Sequence, residues 1–345
     1  MSRTPLRASR GHLLAYRRTV QELDERLPWS AASLRRAAWA GLQDSMPRAA
    51  LLSIHARVAQ TLPTALDDAS LMQVWGPRFN VYVIAAQDVA PFTLGRHPDD
   101  ARGRRRAEEL ADAVTRVLAG RELAYGEVSA TLGIGNAIRY ATTTGRLAIR
   151  WHGARAPMVR AIEPPQVEPD QARRDLARRY LHVYGPTDAE TFAQWAGISA
   201  REAQAAFAGL DRELLAVHTP LGERFLLDED EPTLRAAADL AASTLAAASA
   251  RLLPSGDAYY LAQGSDRELL VPEAEHRARL WTSRVWPGAV LVSGEIVGTW
   301  RRADRIVTIE TWRPLDGAER EAVEHEAVSL PLPGSGGAIT VRWAD

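Results

Sequence analysis

The 345-residue sequence contains no cysteine and no lysine. Without cysteine the chain has no disulfides, no thiolate nucleophile and no cysteine-ligated zinc, which suits a reducing compartment, and we expect a cytoplasmic protein. All 42 residues of the Lys+Arg total are arginine. Codon bias can explain this, but the chemical consequence is the same: no lysine side chain can form a Schiff base, and imine chemistry would depend on the terminal amine.

Long apolar runs and several motifs of enzyme sites are also missing. No run is long enough to span a bilayer, and the N-terminus lacks the apolar core of a signal peptide, so we expect a soluble protein with no membrane partner. The sequence has no H-E-x-x-H, no G-x-S-x-G and no G-x-x-x-x-G-K motif, and the lone G-x-G of "GIGN" lacks the context of a dinucleotide loop. We therefore expect no metal and no nucleotide cofactor.

The net charge of −1 conceals an uneven distribution. Residues 1–160 hold 23 arginines against 14 acids (+9), whereas the remainder holds 19 against 29 (−10). A basic half joined to an acidic half indicates that one face binds a polyanion, with solvated charge as the alternative.

The order of predicted elements repeats along the chain. Residues 105–162 predict a helix, a second helix, the "GIGN" turn, a third helix and a two-stranded hairpin, which is typical of a winged helix. Residues 170–230 repeat this order, and S/T-x-x-E spacings at Thr187 and Ser199 predict two capping boxes. A further unit is expected near residues 30–95. Four aromatic residues are expected to pack in cores before they stack on bases: Trp75, Tyr184, Trp195 and Trp300.

The last third predicts an alanine-rich helix followed by a small antiparallel sheet, with hairpin turns at "SGE" and "RRADR" and a helix over roughly 316–329. The expected fold class is therefore α+β: tandem winged-helix units (helix-turn-helix plus β-hairpin wing) with a C-terminal helix and small antiparallel sheet module. The expected division is into residues 1–165, 166–233 and 234–345, an N-terminal winged-helix region, a winged-helix unit and that module.

The stretch "GLQDSMPRAALLSIHARV", residues 41–58, places the polar residues Gln43, Asp44 and Ser45 directly before an amphipathic run. Helix capping accounts for this arrangement, with Ser45 as the N-cap and Pro47 in the first turn. The alternative is that the same cluster carries the chemistry of a site.

Four stretches, in order along nearly the whole chain, resemble the AlkZ-like winged-helix DNA glycosylases. The stretches are "GLQDSMPRAALLSIHAR" (41–57), "WGPRFNVYVIAAQDV" (75–89), "YLHVYGPTDAETFAQWAGIS" (180–199) and "WPGAVLVSGEIVGTWRR" (286–302). Members of that family excise bulky alkylated purines and unhook crosslinks, so the resemblance implies a DNA repair enzyme.

The family motif is Gln-x-Gln, or Gln-x-Asp in a second branch, followed closely by proline. With Pro47 as the anchor, the first glutamine falls on Gln43, the variable position on Asp44 and the second motif residue on Ser45. This chain therefore has Gln-x-Ser. The resemblance implies catalytic use of Gln43, Ser45 and Asp44, although Ser45 is shorter than glutamine. Asp44 would point away from Gln43 in an extended segment.

Six basic residues are candidates for phosphate contacts, each with a plain surface role as the alternative. They are Arg48, His55, Arg57, Arg78, Arg301 and Arg302. The expected partner is double-stranded DNA with alkylated or crosslinked purines, and the expected protein is a monomer.

Two functions remain open at this stage. One is a monofunctional DNA glycosylase for bulky or cationic alkylated purines, which Gln43 favours. The other is a non-catalytic winged-helix DNA-binding or regulatory protein, which the serine at position 45 favours.

Overall fold

The computed structural model describes residues 6–44, 48–151, 155–242, 249–332 and 337–344. Many helices and four small sheets make up this part of the chain, which confirms the expected α+β class. Within these residues no helix combines the length and apolar character needed to cross a membrane.

The described chain begins with strand β1 (Leu6–Arg7) and helix α1 (Arg10–Val20). The side chain of Ser9 accepts a hydrogen bond from the His12 amide and thereby caps α1. Leu13, Leu14 and Tyr16 on α1 are buried. This segment packs mainly against elements far along the chain.

The first unit combines two helices with a three-stranded antiparallel sheet. In it, β2 pairs with β4, and β4 pairs with β3. A 3-10 turn lies between its second helix and the hairpin. The elements are α2 (Ala31–Ala37), β2 (Leu42–Gln43), α3 (Ala49–Arg57), the 3-10 turn (Ala65–Asp67), β3 (Leu71–Trp75) and β4 (Val81–Ala85).

The second unit repeats this order. Its sheet has the order β5-β7-β6, so the first strand again pairs with the last. Gly133 and Gly135 of the "GIGN" turn have φ of 64° and 51°, which explains why glycine occurs there. The elements are α4 (Val89–Phe92), α5 (Ala101–Leu118), β5 (Leu123–Ala124), α6 (Tyr125–Leu132), a 3-10 helix (Gly135–Thr144), β6 (Leu147–Arg150) and β7 (Met158–Ala161).

The third unit has three helices and a hairpin, to which the N-terminal strand is added. Here β1 pairs in parallel with β8, and Thr187 forms an antiparallel bridge with Phe225. The elements are α7 (Pro169–Tyr184), α8 (Ala189–Ala196), α9 (Ala200–Ala208), β8 (Leu214–Thr219) and β9 (Gly222–Leu227).

The two helix starts predicted in this unit differ in outcome. The capping box of Ser199 with Glu202 is confirmed. The box predicted at Thr187 is wrong by one residue, because Asp188 is the N-cap of α8 and accepts the amide hydrogen of Thr191. The backbone of Thr187 is instead paired with Phe225, so Thr187 belongs to the sheet.

The C-terminal module is a helix followed by a five-stranded sheet of order β10-β11-β12-β13-β14. The prediction of a purely antiparallel sheet is wrong at one edge, because β14 pairs in parallel with β13 after the chain returns through α13. The hairpin turns and the final helix are confirmed. The elements are α10 (Glu231–Ala242), β10 (Ala250–Leu253), α11 (Asp266–Leu270), α12 (Ala274–Leu280), β11 (Gly288–Val292), β12 (Glu295–Ala303), β13 (Ile306–Thr311), α13 (Gly317–Val328) and β14 (Thr340–Trp343).

Shared cores hold the units together. Tyr82 and Phe92 belong to the apolar core of the third unit, whereas Trp75 packs into the core of the second. Leu52 of α3 joins the core of the C-terminal sheet. The expected core positions of Trp75, Tyr184, Trp195 and Trp300 are confirmed, since each is at most 6% exposed.

Candidate active site

Gln43 ends the short strand β2, where it pairs with Tyr82 of β4. Its half-buried side chain lies beside Asn80, whose Nδ2 is 3.5 Å from Gln43 Oε1. A Cβ atom at position 256 would be 2.8 Å from Gln43 Nε2, so Gly256 allows the loop after β10 to pass directly against the amide. Both the first unit and the C-terminal module therefore contact this one amide.

Gln43 lines one of two adjoining cavities, and we call the two together the Gln43 cleft. The first, of about 300 Å³, is lined by Gln43 and Asn80. The second, of about 270 Å³, extends toward β12. The two share Ser255, Val285 and Trp286.

The charge of the cleft is all of one sign. Arg78 and Arg284 line the first cavity, and Arg301 and Arg302 line the second. Among the residues that the structure describes, no aspartate or glutamate lines either cavity. Two guanidinium groups in the cavity of the neutral amide and two in the adjoining cavity produce a positive potential suited to an anionic ligand.

Arg267 lines neither cavity, but it adds positive charge beside the cleft. Arg267 lies over the rings of Trp281 and Trp286, at 5.1 and 5.4 Å from their centroids. Burial, and secondly the positive charge of Arg78, lower the pKa of Arg267. The fold therefore brings like charges close together beside the cleft, and an anion between them would relieve their repulsion.

Asp44 points away from the cleft and caps α3. Its Oδ1 accepts a hydrogen bond of 3.0 Å from the Ala50 amide, and its Oδ2 lies 3.4 Å from Gln73 Nε2. Burial raises the pKa of Asp44 to about 7, while the backbone hydrogen bond from Ala50 and the charge of Arg48 act in the opposite direction. The expectation that Asp44 faces away from Gln43 agrees with these contacts.

The predicted N-cap of α3 is wrong. The helix begins at Ala49, and its N-cap is Arg48, which has a left-handed backbone with φ of 73° and makes no side-chain cap. The side chain of Asp44, six residues before Ala50, instead accepts the hydrogen bond from the Ala50 amide in the first turn. Ser45 and Pro47 lie outside the described residues.

Arg48 lies in a different cavity from Gln43. It lines a space of about 330 Å³ between the first and second units, together with Asp67, Arg150 and Arg160. Its side chain is half-buried, and Arg48 is not among the residues that line the Gln43 cleft. Two acids, Asp67 and Asp68, also line this cavity, and Asp67 forms an ion pair with Arg150 at 3.2 Å.

His55 is buried and does not reach the cleft. Its Nε2 is 3.0 Å from Ser329 Oγ, and its carbonyl oxygen accepts a 2.6 Å hydrogen bond from Arg26. Burial lowers the pKa of His55 to about 4, so the ring is neutral at physiological pH. We therefore revise its predicted phosphate contact to a structural role that joins α3 to the end of α13.

Arg57 also has its donors occupied inside the protein. Arg57 is 1% exposed, and its guanidinium binds both oxygens of Asp257, at 2.7 and 2.9 Å. It also donates to the Ser53 carbonyl and to Gln21 Oε1. These bonds leave no free face for a DNA phosphate, so the phosphate role predicted for Arg57 is revised. Because Asp257 follows Gly256, Arg57 instead holds the loop that passes against Gln43.

The remaining predicted phosphate contacts lie in the cleft. Arg78 has a left-handed backbone with φ of 53° in the turn between β3 and β4, and it packs against Gly197. Arg301 and Arg302 are exposed on β12, where Arg302 donates to the Asp304 carbonyl. The fold thus brings Arg78 into the cavity of Gln43, and Arg301 and Arg302 into the cavity that adjoins it.

Several cleft residues were not predicted from the sequence. Arg284 and Trp286 lie in the loop between α12 and β11, and Asn80 lies beside Gln43. The stretch "RVW" before Pro287 was an available indication, because a loop that combines a basic residue with large apolar residues is often functional. Nothing in the sequence indicated that this loop lies next to residue 43. In the described part of the chain, no group of three His, Asp or Glu side chains could hold a metal ion.

Comparisons with known proteins agree with this geometry. Residues 34–330 match the family described as "DNA glycosylase AlkZ-like". A 168-residue segment is 28% identical to an "Interstrand DNA cross-link repair glycosylase" of Streptomyces sahachiroi, and the match spans 47% of this chain and 43% of that relative. The solved structure of the DNA glycosylase AlkZ from the same organism superposes with a TM-score of 0.76 over 98% of this chain and 100% of that one, at 22% identity, which shows a common fold. Because the family match covers most of the chain, the chain belongs to the AlkZ-like DNA glycosylases.

Proposed function

We propose that this protein is a monofunctional DNA glycosylase that removes cationic or bulky alkylated purines from duplex DNA. The observation that carries the proposal is the placement of the Gln43 amide in a cleft lined by arginines and, among the described residues, by no carboxylate. The curated relative is named a cross-link repair glycosylase, and crosslinked purines are accordingly included in the proposed substrates.

The reaction suits a neutral amide. An N7-alkylated guanine already carries positive charge, so the electron pair of the breaking bond between base and sugar neutralises the leaving base. No strong acid is needed to protonate that base. The sugar becomes cationic in the transition state, and water then adds to the anomeric carbon and releases a proton to solvent. In this proposal the Gln43 carbonyl accepts a hydrogen bond from that water and places its dipole near the cationic sugar.

The two other candidate catalytic residues of the motif, Asp44 and Ser45, are proposed to have different roles. Asp44 supports the scaffold, because its carboxylate caps α3 and faces away from the cleft. Ser45 stays a candidate for the second motif position. Arg78, Arg284, Arg301 and Arg302 are proposed to bind backbone phosphates on either side of the damaged nucleotide.

The three units are proposed to be winged helices. Each has a helix, a short strand or bridge, two further helical segments and a hairpin, and the first strand pairs with the last. This is the order of a helix-turn-helix with a β-hairpin wing. The division at residues 165 and 233 and the monomeric state remain predictions.

The product of the reaction tests the proposed class of chemistry. A duplex with one N7-alkylguanine should yield free base and an intact abasic site, which becomes a strand break only after heat or alkali. Borohydride should trap no covalent adduct, because the chain has no lysine.

Two results would contradict this proposal. Strand cleavage without heat or alkali, or a borohydride-trapped adduct, would show imine chemistry at the terminal amine. Duplex binding without excision of N7-alkylguanine, N3-alkyladenine or crosslinked purines would favour the non-catalytic DNA-binding protein.

A further inference from the structure

The cavity that holds Gln43 has an apolar wall as well as arginines. Leu261, Val285 and Trp286 form this wall. Among the described residues, Trp286 carries the only aromatic ring in the lining of this cavity. Trp286 also lines the adjoining cavity, so it belongs to the wall that the two halves of the Gln43 cleft share. An aromatic surface and the Gln43 amide therefore border the same space.

The Trp286 side chain is accessible to a ligand in the cleft. It is half-buried, and the preceding residue Val285 is 49% exposed. Trp300 also lines the second cavity, but it is 5% exposed and its Nε1 donates to the Leu253 carbonyl at 2.8 Å. Trp300 therefore belongs to the core of the C-terminal sheet, whereas Trp286 presents its ring to the cleft.

A buried tyrosine holds the two loops that border this cavity. The ring of Tyr260 packs against Trp286 with 6.3 Å between centroids. The Tyr260 hydroxyl lies 2.7 and 2.9 Å from the carbonyl oxygens of Pro254 and Pro287. Pro254 precedes Ser255, and Pro287 follows Trp286. The aromatic surface is therefore held in place before any ligand arrives, which lowers the entropic cost of binding.

Neutral hydrogen-bonding groups line the same cavity. Gln43, Asn80 and Ser255 supply amide and hydroxyl groups beside the apolar wall. A purine presents flat faces that stack on aromatic rings and edges that form hydrogen bonds, so it matches both kinds of wall. In the proposed reaction the bond between base and sugar lies within reach of the Gln43 amide. The base on that bond then lies in or beside this cavity of about 300 Å³.

We propose that the cavity of Gln43 is a base subsite, in which the damaged purine leaves the duplex and stacks on Trp286. This inference rests on the proposed function, and it names the part of the cleft that receives the base. Extrusion costs least for a damaged base, because such a base is more weakly stacked and paired. The subsite therefore favours alkylated purines over normal ones.

The test measures binding to a lesion that the protein does not cleave. The probe is a duplex with one 2′-fluorinated N7-alkylguanine nucleotide, in which the fluorine destabilises the cationic sugar and so prevents excision. Fluorescence anisotropy gives its affinity relative to the same duplex with guanine, and we call this ratio the lesion preference.

Trp281→Leu is the matched control for Trp286→Leu. Trp281 is half-buried, lies under the same arginine, Arg267, at 5.1 Å, and packs on Tyr260 at 6.4 Å between centroids. It lines neither cavity of the cleft. Both variants lose an indole from the same cluster, but only Trp286→Leu loses one that borders the cleft.

Trp286→Leu should lower the lesion preference by about tenfold, the scale of one base–aromatic stack. Trp281→Leu should keep the lesion preference of wild type, and Trp286→Phe, which retains an aromatic ring, should keep most of it. Ser255→Leu narrows the cavity and leaves Trp286 in place, so it should also lose the preference. This last variant decides the question if Trp286→Leu does not fold.

Three results would overturn the base subsite: a wild-type protein that binds the two duplexes equally, equal lesion preferences for Trp286→Leu and Trp281→Leu, or an unchanged preference in Ser255→Leu. The binding measurement needs no excision. A lesion preference that depends on Trp286, without excision of the unfluorinated lesion, would contradict the glycosylase activity and leave the subsite standing. Excision without that dependence would do the reverse.

Discussion

Gln43 and Asp44 are adjacent in the chain, yet their side chains have opposite surroundings. The amide of Gln43 faces the arginine-lined cleft, and the carboxylate of Asp44 binds the first turn of α3. Successive side chains of an extended segment point to opposite sides, which produces this separation. The more basic group is therefore kept away from the cleft, and the neutral amide remains there.

The raised pKa of Asp44 predicts a change of stability with pH. An aspartate in an unfolded chain has a pKa of about 3.9, whereas burial raises the pKa of Asp44 in the folded protein to about 7. Between these values the folded state holds one more proton than the unfolded state, so stability falls as the pH rises through this window. Asp44→Asn keeps an oxygen acceptor for Ala50 and carries no charge. Its free energy of unfolding relative to wild type should therefore rise by about 2 kcal/mol between pH 5 and pH 8.

Urea unfolding of both proteins at the two pH values measures this difference, with tryptophan fluorescence as the readout. An unchanged difference between variant and wild type would mean that Asp44 keeps an ordinary pKa in the folded protein.

At the scale of elements, α3 and the loop after β10 are joined by one buried ion pair. Arg57 at the end of α3 binds Asp257, whose neighbour Gly256 packs against Gln43. Ser53 Oγ also donates to Asp257 at 2.6 Å. The helix that follows the motif therefore fixes the loop that contacts the motif.

Removal of the Arg57 guanidinium should lower the free energy of unfolding, and not only the affinity for DNA. Arg57→Met leaves the buried Asp257 without its partner, which typically costs about 3–5 kcal/mol in urea unfolding. Arg302→Met makes the same change at an exposed arginine of the cleft, and it should change stability by less than about 0.5 kcal/mol while it weakens duplex binding. If Arg57→Met unfolds like wild type and only loses DNA affinity, Arg57 contacts phosphate as first expected from the sequence.

Local elements could be predicted from the sequence because their determinants are local. The Ser199 box, the hairpin turns of the last sheet and its final helix all follow from residues a few positions apart. The Thr187 box was displaced by one residue because a strand 38 positions later, at Phe225, pairs with Thr187. The parallel edge strand β14 and the pair of Arg57 with Asp257 depend on contacts across many residues, which no local pattern encodes.

The same limit applies to the candidate site. Gln43 was found through a motif, whereas Arg284 and Trp286 reach it only through the fold. His55 and Arg57 follow the motif on its helix, and their charge alone suggested DNA contacts. Their burial, which only the structure provides, changes that interpretation.

At the scale of the whole molecule, the uneven charge of the sequence does not map simply onto the cleft. Arg78 comes from the basic half, but Arg284, Arg301 and Arg302 come from the half with an excess of acids. The cleft is therefore positive because the fold selects arginines from both halves and leaves carboxylates out of its described lining. Gln43, from the first unit, lies against Gly256 of the C-terminal module in this cleft.

The central claim is that Gln43 acts on the reacting sugar or its water, and the single-turnover excision rate of Gln43→Ala tests it most directly. The substrate is a duplex with one N7-alkylguanine, and the matched control is Gln166→Ala, an exposed glutamine away from the cleft. Loss of one preorganised electrostatic group should slow excision by roughly a hundredfold, with urea unfolding close to wild type and Gln166→Ala unchanged. Equal rates for wild type and Gln43→Ala would contradict the account, because the amide would then serve only the structure of the protein.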